Sequence, residues 1–192
     1  MPLPRFQRLP PERQASILRV AREHFARDGR EGASFNQILA DAALPKTSAY
    51  QYFDGKEDLA GAVLAEVNAR LLAVLGPWSV THAAPAFWKQ LKACNRRLRE
   101  HMIAHPDDFA CLRSLGLDQP TAADLAWFGA MIDNGVALSI IRGCPDRALL
   151  LAATMGFFRG VDAWALDALA RGSAAKMDHA WALLARLWGA AK

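Results

Sequence analysis

An all-α fold is predicted by three features of this 192-residue chain. Its boundary signals are helix signals: Ser or Asp caps, prolines just ahead of apolar-periodic runs, and a Gly-Pro stop. No period-two alternation bounded by hairpin turns occurs, and no internal repeat or low-complexity run stands out. Residues 34–59 read as two short helices joined by a tight turn. That is the pattern of a helix-turn-helix. The expectation is a three-helix head over residues 1–55 and a C-terminal helical bundle over residues 56–192, about nine helices in all.

Taken in order, Ile17, Ala21 and Phe25 lie at helical spacing and define an amphipathic first helix of the head. Ser34 is a good N-cap for the next, with Gln37 placed to return a hydrogen bond to it, and Ile38 and Leu39 face inward. Pro45 ends that helix and pre-sets the first turn of another, because proline excludes α geometry from the residue before it. On the new helix Ala49 and Phe53 pack inward, which leaves Lys46, Thr47, Ser48, Tyr50, Gln51 and Tyr52 to point elsewhere. Such a surface can hold phosphates through lysine and hydroxyls and can read base edges through Gln, Thr and Ser. Asp54 and Glu57 suggest a second capping box, opening a helix from Lys56 to Leu75 that stops at Gly76-Pro77. Beyond it, Pro85, Pro106, Pro120 and Pro145 precede helices expected near 86–104, 106–115, 121–142, 145–171 and 174–190.

The string Tyr50-x-Tyr52-Phe53-x-x-Lys56-Glu57-x-Leu59 in this setting resembles the DNA-binding domain of the TetR family of bacterial transcriptional regulators, from about Arg13 to Leu71. The resemblance implies that Ser34, Tyr50, Tyr52 and Lys56 contact phosphates of double-stranded operator DNA. It also implies that Lys46, Thr47 and Ser48 open the recognition helix and that Gln51 reaches bases. Three positions depart from the family pattern: Ala43 and Thr47 stand where glycine is frequent, and Pro45 where serine is. If the turn needs positive φ at Ala43, alanine there costs on the order of 1 kcal/mol.

Composition fits a core-forming protein, 53% hydrophobic and 22% charged, with a modest net charge of +4. Basic charge concentrates at the start, where Arg5, Arg8, Arg13, Arg19, Arg22 and Arg27 face only Glu12 and Glu23 up to that point. The first of these arginines form either an arm along DNA or a solvated terminus. Cys94, Cys111 and Cys144, an odd number without a signal-peptide pattern, fit reduced thiols in a cytoplasmic protein. Charges interrupt each long helix, so no membrane span is expected.

In the C-terminal bundle, Leu91, Asn95, Leu98 and Met102 form one helical stripe, and Trp127, Met131, Asn134 and Leu138 another. Each carries one Asn, which must find a hydrogen bond in the protein, from water, or from a ligand. With aromatic residues nearby, these stripes are candidate walls of an apolar ligand pocket. The family resemblance implies a small-molecule inducer bound there. Ala152, Gly156 and Gly160 make a small-residue strip, and Trp181, Leu184 and Trp188 a bulky one; homodimerisation and intrachain packing both account for them. No catalytic frame, phosphate-binding glycine loop or metal-ligand cluster is present in the sequence, and no cofactor is implied. The reading is a ligand-responsive repressor that forms a homodimer. A thiol-based redox or electrophile sensor acting through Cys111 or Cys144 is the alternative, and a helical-bundle enzyme a more remote one.

Overall fold

The computed structural model describes residues 2–116, 120–142, 146–173 and 177–189. Among the described residues there are ten helices and no strand: α1 Pro4–Gln7, α2 Pro11–Gly32, α3 Phe35–Asp41, α4 Lys46–Tyr52, α5 Lys56–Leu75, α6 Ala84–Ala104, α7 Pro106–Leu115, α8 Ala122–Ala137, α9 Arg147–Ala170 and α10 Met177–Leu187. The helix beyond the expected number is α1, a single turn opened by Pro4 and closed by Arg8. Contacts divide the chain into two compact units. The first holds Met1–Gly76 with Asn95–Gln119, and the second Pro77–Cys94 with Pro120–Lys192.

The first unit is built around α2. Its inward stripe of Ile17, Ala21 and Phe25 is almost wholly buried, together with Ile38 and Leu39 of α3, Ala49 of α4, Phe53, and Leu59, Val63 and Val67 of α5. Helix α2 packs along α7, placing Cys111 and Leu115 in the same core. One charge is buried with them. The Asp108 carboxylate accepts hydrogen bonds from Arg70 at 2.6 and 3.1 Å and pairs with His101 Nε2 at 3.0 Å, with Arg22 Nε at 3.7 Å. Burial alone would push its pKa up; hydrogen bonds from Arg70 and His101 and the charges of Arg70 and Arg22 outweigh that and hold it below the usual carboxylate value.

The second unit has an aromatic core. Phe87 lies against Trp78, Trp88 and Trp188, and Trp78 meets Trp127 edge-on with ring centres 5.6 Å apart. Helix α8 stops at Ala137, well short of the expected residue 142, because Ser139 turns to φ 55° and the Ile140 and Ile141 amides return to the Gly135 carbonyl. That reversal folds Ile141 over Gly135 so closely that a Cβ there would lie 2.7 Å from the Ile141 side chain. Only glycine fits. Helix α9 includes Arg147–Ala165, which is long and apolar enough by length and composition alone to cross a membrane, with mean hydropathy 1.2. Its charges are diluted by a run of Ala, Leu and Gly, and most of it is exposed in the protomer.

Candidate nucleic-acid interface

The helix pair α3 and α4 forms as the residue types dictate. Ser34 caps α3, its Oγ accepting the Gln37 amide hydrogen at 3.4 Å. The Gln37 side chain does not complete a capping box; it donates instead to Asp41 at 2.9 Å. Asp41 also pairs at 2.8 Å with Nε2 of His24, a buried residue of α2. Between the helices Ala43 takes φ 48°, the left-handed conformation that glycine adopts more readily. Arg13 of α2 donates to the Ala42 and Ala43 carbonyls at 3.1 and 2.9 Å, satisfying turn oxygens that would otherwise face solvent. Helix α4 then starts at Lys46, directly after Pro45.

Helix α4 buries one face and displays the other. Ala49 is fully buried, as is Phe53 just past the helix end, while Lys46, Thr47, Tyr50 and Gln51 are exposed and Ser48 is half-buried. Tyr50, 59% exposed, rests its ring edge on Phe35 with centres 6.0 Å apart. Tyr52 is half-buried against Phe6 of α1. Lys56 begins α5 and donates to the Glu31 carbonyl at 3.3 Å. The expected capping box at Asp54 and Glu57 does not form. Gly55 at φ 99° takes the N-cap place, the Asp54 amide donates to Asp58, and Glu57 pairs with Arg30 at 2.6 Å.

Sequence reasoning left the chain before α2 open between arm and solvated terminus. It is neither. Phe6 is 4% exposed, its ring 4.7 Å from that of Phe53, and the Leu3 amide donates to the Tyr52 carbonyl at 2.8 Å. Arg5 Nη1 donates to Gln51 Oε1 on the exposed face of α4. The lone aromatic Phe6 between two prolines was the signal that this segment docks.

The other sequence candidates are distributed as follows. Leu91, Trp127, Met131 and Asn134 lie in the second unit, whereas Asn95, Leu98 and Met102, although on the same helix as Leu91, belong to the first. The expected pocket stripes are therefore not gathered within one compact unit. The Asn134 amide has internal partners: its oxygen accepts from Trp78 Nε1 and from the Thr81 amide and hydroxyl at 2.9–3.1 Å, and its nitrogen donates to the Thr81 carbonyl at 2.9 Å. Among the dimerisation candidates, Leu184 and Trp188 face the interior, with Trp188 Nε1 donating to the buried Thr154 hydroxyl at 3.1 Å. They follow the inward stripe of α10, and Trp181 is half-buried. Ala152, Gly156 and Gly160 remain exposed, and a Cβ on either glycine would meet nothing within 4 Å. The two glycines line an apolar groove of about 430 Å³ with Val161, Trp164, His179 and Leu183.

Cys111 is buried at the first core, its thiol 3.5 Å from the Arg22 carbonyl, and burial pushes its pKa up to about 12. A thiol so rarely ionised is a poor nucleophile. Cys144 lies outside the described residues.

Residues 17–63 match the family model of bacterial regulatory proteins, tetR family. No curated protein matches the chain. Solved structures share the fold over nearly their whole length. A protein of Shewanella sp. PV-4 assigned as a tetR family transcription regulator is 17% identical, with TM-score 0.67 over 94% of this chain and 99% of that one. A protein described in terms of control of antibiotic production by a bacterial hormone is 20% identical, with TM-score 0.60 over 94% and 97%. A Clostridium perfringens protein assigned as a fatty acid metabolism regulator is 16% identical, with TM-score 0.54 over 92% and 98%.

Proposed function

Because its head, residues 17–63, places this chain in the TetR family of bacterial transcriptional regulators, which bind DNA and are not enzymes, we propose that it is a ligand-released repressor. It acts as a homodimer on a pseudo-palindromic operator, and a small apolar or aromatic molecule lowers its affinity for that site. The observation that carries the DNA-binding part is the two-faced α4, with Ala49 buried and Lys46, Thr47, Tyr50 and Gln51 exposed beside a helix-turn-helix turn. In this reading Gln51 reads a base edge, while Ser34, Lys46, Tyr50, Tyr52 and Lys56 hold phosphates, and Thr47 and Ser48 are within reach of either. Residues 1–55 form the DNA-reading head, and residues 56–192 serve response and assembly.

Dimerisation follows from arithmetic and surface. One chain supplies one recognition helix, yet two half-sites about 34–36 Å apart must be met together. The open strip of Ala152, Gly156 and Gly160, with exposed Trp164 and Leu183 lining the groove beside the glycines, supports α9 and α10 as the surface that covers itself in the dimer. For the inducer, the aromatic core of Trp78, Phe87 and Trp127 with Leu91 and Met131 supports an apolar or aromatic ligand in the second unit. Linkage requires the ligand and the operator to weaken each other by the same factor.

The test combines selection and assembly. Duplexes selected from a random library by the purified chain should contain an inverted repeat bound by two chains. Gly156→Leu has room in the protomer, so it should leave the head folded while splitting the dimer and abolishing tight binding to the repeat. Sedimentation showing a wild-type monomer bound at one chain per selected site would overturn the dimer.

A further inference from the structure

Helix α1 acts as a strap across the end of the recognition helix, and its fixing is specific. Phe6 is inserted beside Tyr52 and Phe53, and the Leu3 amide is spent on the Tyr52 carbonyl. At the other end of the strap the Gln14 side chain of α2 donates to the Leu9 carbonyl at 2.8 Å. Between these anchors Arg5 is exposed, and so is its partner Gln51. The Arg5 guanidinium donates to the oxygen of the Gln51 amide and so fixes which way that amide turns. An unrestrained glutamine reads adenine with both ends, accepting from N6 and donating to N7. With one lone pair of its oxygen taken by Arg5, Gln51 offers outward its NH₂ group and a single remaining acceptor site. Arg5 retains further N–H groups beside it. The pair is a positively charged set in which donors outnumber acceptors. Guanine, whose major-groove edge presents two acceptors, N7 and O6, uses those donors fully; adenine, whose N6 amino group is a donor facing the guanidinium, uses them less well.

We propose that Arg5, held by the α1 strap against Gln51, is a specificity-determining residue that makes the recognition helix select guanine over adenine at one position of each half-site. This rests on the reading of Gln51 as the base-facing residue of α4. Arg5 thereby differs from an arginine of a loose basic arm, which would add affinity for every duplex and no preference.

The experiment is in vitro selection from a random duplex library with the purified full-length chain, its Arg5→Ala variant and its Gln51→Ala variant, followed by titrations at several salt concentrations. Wild type should enrich guanine at one position per half-site. Arg5→Ala frees the amide to rotate, so that position should lose about tenfold of its guanine-over-adenine preference, with the rest of the site unchanged. Phe6→Ala, which loosens the strap without touching either polar group, should shift the same position in the same direction. The proposal is overturned if Arg5→Ala weakens all duplexes equally and only flattens the salt dependence, the behaviour of a phosphate contact. It also fails alone if Gln51→Ala changes the selected base while Arg5→Ala leaves it as it was. A selected sequence unaffected by Gln51→Ala removes the underlying reading of α4 as well.

Discussion

In the first unit the most deeply buried charge, Asp108, is enclosed by Arg22, Arg70 and His101, drawn from α2, α5 and α6. In the second unit the long apolar helix α9 leaves Leu149 at 60% and Trp164 at 43% exposure. The first unit has brought one carboxylate inside and paired it; the second has left apolar surface outside, as a protomer does when that surface is covered by the partner proposed above. The difference yields a separation of effects. Changes around Asp108 should act on the folding of the protomer, and in the proposed dimer changes on the exposed face of α9 should act on association.

The largest effect is expected at Asp108. Asp108→Ala leaves the half-buried Arg22, Arg70 and His101 without their counter-charge and should cost about 3 kcal/mol in chemical denaturation, the lower end for a broken buried pair. The pH dependence has a defined sign. Because the folded state holds this carboxyl below its usual pKa, the stabilisation is complete above the unfolded value near ~3.9 and is lost as pH falls through the lower folded value. Wild type should lose stability on acidification over that window, and Asp108→Ala should show a shallower acid limb. Equal acid limbs would remove Asp108 from the account of acid stability.

Next comes the exposed face. Trp164→Ala should weaken self-association by about 2 kcal/mol, the scale of an interface hot spot, while the monomer's denaturation midpoint stays put. Sedimentation equilibrium reads the first and denaturation at low protein concentration the second. A loss of protomer stability with unchanged association would reverse the comparison between the units. Asn134→Leu, a substitution inside the second unit, should cost about 1–3 kcal/mol because the buried Trp78 N–H and the Thr81 groups lose their partner. The signature is a shift of tryptophan fluorescence at lower denaturant. A response to ligand abolished with stability intact would instead make Asn134 a ligand contact.

Helix periodicity was readable, as were the Ser34 cap and the inward faces of α2, α3 and α4, because those depend on spacing within one segment. The capping boxes expected at Ser34 and Asp54 did not form, because Gln37 and Glu57 found partners on other turns or elements. Helix α7 begins at Pro106 and ends at Leu115 as expected for the same reason. Long-range pairings were not readable. Nothing local distinguishes Trp188, which turns inward to Thr154, from Trp164, which stays outside; both are tryptophans at helical spacing in apolar surroundings. Asn134 illustrates the same limit from the polar side. The demand for a partner follows from its burial, but the identity of that partner, an irregular segment more than fifty residues earlier, follows only from the fold. The strap was visible only as Phe6 among prolines, and its partner on α4 lies across α2 and α3.

The smallest expected effect is at the turn of the head. Ala43 is at φ 48°, where a Cβ crowds the following carbonyl, so Ala43→Gly relieves strain in the folded state. Glycine also enlarges the unfolded ensemble, which opposes the gain, so the net should be a stabilisation of up to about 1 kcal/mol. The Arg13 hydrogen bonds to the Ala42 and Ala43 carbonyls use backbone atoms alone and survive the substitution. Operator affinity should therefore stay within about twofold, because the change lies in the turn and not on the exposed face of α4. A destabilised Ala43→Gly variant would mean that the turn is held by Arg13 strongly enough for alanine to cost nothing there. In that case Arg13→Ala should cost more than Ala43→Gly changes in either direction.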